Sequence, residues 1–205
     1  MVVDPGQDAV EPQPDCLRIL RLLFGRDGGV TLVPRAVGAK AGRARLGIST
    51  AAPTVSSMSP DWIESVGAEK SFARVRWDRS IEVSVVTLDD LIAMYGPPAF
   101  CKIDVEGFEL EALSGLTQPL RALSFEYVPP AHDAALVALG LVDRLGAAAG
   151  GYQYNYSSVE TLRFAGDRWL DMAELVRLLE LLRPLGRSGD VYARLRSRDD
   201  PALTT

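Results

Sequence analysis

One stretch of the chain, residues 99–116 with the sequence AFCKIDVEGFELEALSGL, constrains the fold more than any other. Its first half is largely apolar, which predicts a strand buried inside a sheet. After Gly107, leucines recur at every third position, which predicts a helix. A buried strand followed directly by a helix is typical of a parallel sheet covered by helices. The strand nevertheless ends in two carboxylates, Asp104 and Glu106, and the presence of charged side chains at the end of a buried strand needs an explanation.

The rest of the 205-residue chain repeats this alternation of strands and helices. Hydrophobic periodicity predicts strands at residues 8–11, 30–37, 44–48, 81–86, 122–128, 152–156 and 191–195, and helices at residues 14–24, 88–95, 131–139 and 171–182. Two helix starts carry a capping box, formed by Thr87 with Asp90 and by Asp171 with Glu174. The alternation predicts an open, largely parallel sheet with helices on both faces.

We predict a single α/β domain over residues 1–205. Residues 42–86 differ from the rest, since short strand-like pieces flank the loop TAAPTVSSMSPDW, and they are predicted to form an insertion. Residues 197–205 are predicted to form a C-terminal tail.

Composition and charge exclude several classes of protein. The net charge of −5 argues against a nucleic-acid surface, which is normally basic. No apolar run approaches the roughly 20 residues of a membrane span, and the N-terminus lacks the features of a signal peptide. The two cysteines, Cys16 and Cys101, make neither a disulfide framework nor a zinc site. We therefore expect a cytoplasmic protein without a metal site and without nucleic-acid or membrane partners.

The position of the two carboxylates at the end of a strand suggests a ligand site. In open α/β sheets, ligands bind at the carboxyl ends of the strands, where Asp104 and Glu106 are expected to lie. The alternative is that both residues cap the helix that follows Gly107. Lys102 shares the Asp104 face of the strand, so it could pair with Asp104, orient a substrate or act as a base. Glu126 ends another strand and either reaches the same crevice or is a surface acid beside a turn.

Three segments together resemble a known family. TLDDLI, then KIDVEGFELEAL, then a strand ending in a glutamate, is a combination that resembles the FkbM family of S-adenosylmethionine-dependent methyltransferases. AVEPQPDCLRILRLLF resembles the segment that carries the family's ribose-binding acid. The resemblance covers residues 9–128 and extends more loosely to residue 195. It implies the class I methyltransferase fold, a Rossmann-like, mostly parallel seven-stranded sheet with an antiparallel C-terminal strand.

The resemblance also implies roles for individual residues. Glu11 would accept hydrogen bonds from the ribose hydroxyls of S-adenosylmethionine, since a carboxylate can accept from two donors together. The alternative for Glu11 is a solvated carboxylate before a turn. Val37 would lie against the adenine ring, and Asp104 would face both the cofactor and the acceptor. Glu106 and Lys102 complete the predicted catalytic group.

The implied reaction is the O-methylation of a hydroxyl on a small molecule or sugar. The acceptor hydroxyl must lose its proton as the new bond forms, and Asp104 is the leading candidate for the base. The loop TAAPTVSSMSPDW is expected either to cover the site or to form an exposed insertion. His132, which falls at a predicted helix start, is interpreted as a surface or capping residue.

The resemblance is weakest at the N-terminus. Class I enzymes begin with a strand, a glycine-rich turn and a helix before the ribose-binding acid. Here Asp4 is only seven residues from Glu11, whereas a helical crossover needs about a dozen residues. The strand, turn and first helix therefore look incomplete, and we expect this chain to bind S-adenosylmethionine poorly or not at all and to self-associate through exposed apolar surface.

The sequence leaves two other functions open. A non-catalytic methyltransferase-fold domain with a binding role is the main alternative, because the glycine-rich turn is missing. A nucleotide-binding hydrolase is less well supported, because the chain has neither a GxxxxGK[ST] phosphate loop nor a GxSxG nucleophile elbow.

Overall fold

The computed structural model describes residues 2–3, 8–69, 72–158, 161 and 163–197. The strands are β1 (Val2–Val3), β2 (Asp8–Val10), β3 (Thr31–Val33), β4 (Ala36–Val37), β5 (Gly42–Ile48), β6 (Arg79–Val86), β7 (Cys101–Ile103), β8 (Ala122–Tyr127), β9 (Tyr152–Ser158) and β10 (Gly189–Leu195). The α-helices are α1 (Pro14–Phe24), α2 (Pro60–Gly67), α3 (Leu88–Tyr95), α4 (Glu109–Ser114), α5 (His132–Gly146) and α6 (Met172–Leu182). Beyond Ser197, the predicted C-terminal tail lies outside the described residues.

The main sheet has seven strands in the order β3-β2-β1-β7-β8-β10-β9. Two pairings among the described strands of this sheet are parallel, namely β2–β3 and β7–β8. The other four, β1–β2, β1–β7, β8–β10 and β9–β10, are antiparallel. The sheet is therefore mixed, and the prediction of a mostly parallel sheet needs correction. The predicted antiparallel C-terminal strand is present as β10.

Strand β1 accounts for half of the antiparallel pairings. It lies between β2 and β7, where Val2 pairs with both Ala9 and Lys102. Four residues separate β1 from β2, and a connection of that length permits a hairpin but no helical crossover. As a result, β2 and β7 run in the same direction on either side of a reversed strand.

A second, three-stranded sheet has the order β4-β6-β5 and belongs mostly to residues 42–86. Its strands enclose a small core formed by Ala36, Leu46, Ile48, Val83 and Val85. Helix α2, which the hydrophobic pattern did not predict, begins after Ser59, whose side chain accepts a hydrogen bond from Trp62 N at 3.1 Å. This segment therefore has its own packing rather than being an open loop.

The main sheet is apolar on one face and largely polar on the other. Ile103, Phe125 and Val191 are fully buried in a core to which helices α3–α6 also contribute. Their neighbours in sequence, Lys102, Ser124, Glu126, Asp190 and Tyr192, occupy the opposite face, because successive side chains of a strand alternate. The polar face is thus a property of three adjacent strands. Among the described helices, none has the length and hydropathy of a membrane-spanning segment.

Candidate functional site

A cleft lies beside the ends of β2, β4 and β7 and contains four of the five predicted site residues. Glu11 directly follows β2, Val37 ends β4, and Asp104 and Glu106 follow β7. The fifth residue, Lys102, does not line the cleft but pairs with Asp104. The cleft has a volume of about 90 Å³, which is below the roughly 300 Å³ at which ligand pockets usually begin.

Glu11 is held in place by the turn that leads into α1. Its Oε1 accepts a hydrogen bond from Gln13 N at 2.6 Å, and Gln13 in turn donates to Pro53 O and accepts from Ser56 Oγ. Burial raises the pKa of Glu11 above its usual value, although the bond from Gln13 opposes this. Glu11 is therefore a partly buried, oriented carboxylate rather than a solvated one before a turn.

The segment containing TAAPTVSSMSPDW contributes to the wall of this cleft. Thr54, Ser56 and Met58 line it, and Ser57 Oγ donates a hydrogen bond to Glu106 O at 2.6 Å. Of the two expectations for this segment, the structure favours the one in which it covers the site.

The turn after β7 is organised by Glu109, which was not among the predicted site residues. Glu109 Oε1 accepts hydrogen bonds from Val105 N at 3.1 Å and from Gly107 N at 3.2 Å. Between them, Glu106 has a left-handed backbone with φ of 52°, which is uncommon outside glycine. Glu109 therefore satisfies backbone N–H groups in the turn, one of them that of Gly107, whereas the alternative for Asp104 and Glu106 was that they cap the helix after Gly107. The position of Glu109 in the first turn of a helix, where acids are favoured, was the available signal.

Lys102 forms an ion pair on each side. Its Nζ lies 3.2 Å from Asp104 Oδ2 and 3.3 Å from Asp190 Oδ1, the latter on β10. Burial lowers the pKa of Lys102, but the two carboxylates outweigh it and raise the pKa above its usual value. Lys102 is thus held in its charged form, which suits an orienting group better than a base. Asp190 was not predicted, because it lies 88 residues away in sequence.

Three carboxylates converge beside this lysine. Asp104, Glu106 and Glu126 each place an oxygen within 4.8 Å of the others, and Glu126 Oε2 is buried without a hydrogen-bond partner among the described residues. Burial and the neighbouring Glu126 raise the pKa of Glu106 to about 9, while burial and Glu109 raise that of Glu126 to about 8. The expectation of no metal site rests on cysteine and histidine ligands, whereas oxygen ligands with this spacing could hold a Mg²⁺ or Ca²⁺ ion.

These raised pKa values predict how stability depends on pH. A carboxyl whose pKa is raised by folding contributes its full stability below the unfolded pKa, here the usual value of 4.5, and loses it as the pH rises to the folded pKa. With folded pKa values of about 9 for Glu106 and about 8 for Glu126, the free energy of unfolding should fall as the pH rises from about 5 to about 9.

Urea unfolding across this pH range measures the effect. Glu126→Gln removes one titrating group and should make the decrease shallower. Glu180→Gln, a control on the exposed side of α6, should leave the decrease unchanged. An equally steep decrease in Glu126→Gln, or greater stability of the native chain at the alkaline end, would contradict the role assigned to the cluster.

His132 is placed differently from the prediction. Its side chain is buried, its Nδ1 lies 3.0 Å from the Tyr127 hydroxyl, and its ring packs edge-on against that tyrosine. The hydroxyl also donates to Leu179 O at 3.2 Å, so the pair ties β8 and α5 to α6. The interpretation of His132 as a surface residue was therefore wrong, since a helix start can be buried by elements distant in sequence.

Comparisons with known proteins identify the family of the chain. Residues 2–154 match the model of the Methyltransferase FkbM domain, which covers more than half of the chain and includes all five predicted site residues. No curated protein and no solved structure matches the chain.

Proposed function

Because the chain belongs to the FkbM methyltransferase family, we propose that it transfers the methyl group of S-adenosylmethionine to a hydroxyl group of a small molecule. The proposal rests on one observation. Glu11, Val37, Asp104 and Glu106 come from three separate strands, yet they line the same cleft at the strand ends. Ligands of open α/β sheets bind at this edge.

The residues of the cleft suit the chemistry of the cofactor. Glu11 offers a second carboxylate oxygen to the ribose hydroxyls while the first accepts from Gln13, and the buried Val37 offers an apolar surface to adenine. The sulfonium of the cofactor supplies an activated methyl group and carries a positive charge. Asp104, Glu106 and Glu126 would stabilise that charge, and its approach would lower the raised pKa values of Glu106 and Glu126.

The volume of the cleft limits how the cofactor can enter. At about 90 Å³ the cleft cannot enclose a molecule of that size, so residues 53–58 would have to move away from Glu11 and Glu106 on binding. The cost of this movement agrees with the expectation of weak binding.

The electrostatics of the cluster also narrow the choice of base. Glu106 and Glu126 hold their protons at neutral pH, and Lys102 is held in its charged form by two carboxylates. Asp104 is partly exposed, lines the cleft and is oriented by Lys102. We therefore assign to Asp104 the removal of the proton from the acceptor hydroxyl.

A second candidate function is a non-catalytic domain that keeps the fold and binds a partner. The observation that favours it is the β1–β2 hairpin, because a reversed two-residue strand lies in the middle of the sheet where class I methyltransferases have a parallel strand and a glycine-rich turn.

Titration of the chain with S-adenosylmethionine, followed by NMR and calorimetry, separates the two functions. We expect weak but saturable binding that Glu11→Ala weakens by a further 1–3 kcal/mol or so, the cost of losing a charged acceptor. Glu64→Ala, an exposed control on α2, should bind like the native chain. Absence of saturable binding would favour the non-catalytic domain, and equal binding by Glu11→Ala would exclude its ribose role.

A further inference from the structure

A second and larger cavity lies close to the carboxylate cluster. It is formed between the end of α2, the segment that follows β8 and the turn between α6 and β10, and its volume is about 390 Å³. Its lining residues include Val66, Phe72, Val128, Pro129, Arg183 and Ser188. We refer to it as the α2–β8 cavity. Its volume falls within the range of sites that bind small molecules.

The α2–β8 cavity adjoins the turn that carries the carboxylates. Val128 lines this cavity and also a second, narrower cavity, which is lined by Gly107, Glu109 and Glu126 as well. On the other side, the ring of Phe72 lies 6.0 Å from that of Trp62, which packs against Gly107. The cavity and the carboxylate turn therefore share neighbouring residues on two sides.

The lining indicates the kind of molecule that the cavity would hold. Its walls are mainly apolar, with a valine and an aromatic ring from the α2 region and three prolines. Its charged groups, Glu69 and Arg183, are exposed, and Arg183 already lies 3.6 Å from Asp133. Among the lining side chains only Glu69, Arg183 and Ser188 can form hydrogen bonds, so a sugar would leave several of its hydroxyl groups against valine, phenylalanine and proline, which is costly. A ring alcohol would bury its apolar body and needs few polar partners.

We propose that the α2–β8 cavity binds the methyl acceptor, and that this acceptor is an alcohol or phenol with an apolar ring body rather than a sugar. The inference rests on the proposed methyl transfer, because it assigns the second substrate of that reaction. Val128 separates the cavity from the narrow space lined by Glu126, and on that side the acceptor hydroxyl would approach the carboxylate cluster.

Two probes test the chemical class. 2-Naphthol represents ring alcohols, and methyl α-glucoside represents sugars. In NMR titrations of the full chain, 2-naphthol should shift the amide signals of Phe72, Val128 and Ser188 in a saturable way, whereas the glucoside should not. Shifts caused only by the glucoside, shifts at other residues, or no shifts from either probe would overturn the inference.

Variants that fill the cavity test its location. Ser188→Trp should weaken 2-naphthol binding by at least about tenfold, because the indole would occupy the space of the probe. Leu185→Trp adds the same ring to an exposed position of the same turn, outside the lining, and should leave binding within about twofold. Glu69→Trp, at an exposed lining position, provides a second test if Ser188→Trp does not fold. Native-like binding by both filled variants would overturn the assignment.

A parallel titration with S-adenosylmethionine distinguishes this inference from the proposed function. Cofactor binding without any effect of 2-naphthol on the cavity would refute the acceptor site alone. Saturable 2-naphthol binding without cofactor binding would refute methyl transfer, and with it the identification of the ligand as an acceptor.

Discussion

Replacing Gly107 with alanine is expected to destabilise the protein by about 2–5 kcal/mol, through backbone strain and overpacking together. Gly107 has φ of 80°, a conformation that residues with a Cβ rarely adopt. A Cβ at this position would also overlap the ring of Trp62, which is buried and packs edge-on against Phe72 and Trp77. The tryptophan has little room to move away, so both costs should be observed.

Urea unfolding of Gly107→Ala measures this loss. Gly67→Ala is a matched control, because Gly67 ends α2 and a Cβ there meets no atom within 4 Å. The control is expected to be neutral or stabilising by at most about 1 kcal/mol. If Gly107→Ala were as stable as the control, the close packing of Trp62 on the turn after β7 would be wrong.

The second prediction concerns chemistry rather than stability. Asp104→Asn is expected to leave the fold intact and to lower methyl transfer by at least about tenfold, because the amide keeps the shape of the side chain but cannot accept a proton. Lys102 keeps its ion pair with Asp190 in this variant, so its charge remains balanced. The loss should therefore come from the reaction and not from the charge network.

The measurement is the transfer of a labelled methyl group to an alcohol that the native chain methylates. Asp61→Asn, on the exposed side of α2, is the control and should retain activity. Full activity of Asp104→Asn would exclude its role as base. Unfolding of the variant would instead indicate that the carboxylate has a structural role in the turn after β7.

Local interactions could be predicted from the sequence because they involve residues close together in the chain. The capping boxes of α3 and α6 are confirmed, with Thr87 and Asp90, and Asp171 and Glu174, exchanging hydrogen bonds across three residues. Helix α1 begins at Pro14 and ends before Gly25 as predicted, since both residues act on the backbone where they stand. The single strand predicted at residues 30–37 is instead two strands, β3 and β4, with Pro34 between them, because proline cannot donate a backbone hydrogen bond.

The proximity of the site residues in space could be predicted in part. Glu11 and Asp104 follow strands that run in the same direction, and such strands end at the same edge of a sheet, so their proximity follows from the pattern. The contributions of Ser57 and Trp62 could not be predicted, because they depend on how residues 42–86 fold back over the turn after β7.

Only the tertiary structure decided the place of β1 in the sheet, the burial of His132 and the partners of the carboxylates. The reversed β1 follows from its short connection to β2, but its place between β2 and β7 depends on strands about 100 residues apart. The pairing of Lys102 with Asp190 likewise joins β7 to β10 across the polar face of the sheet. Sequence patterns indicate which side of a helix or strand is buried. Which charged residues pair, and which residues are buried by elements distant in sequence, depends on how the chain packs these elements against one another.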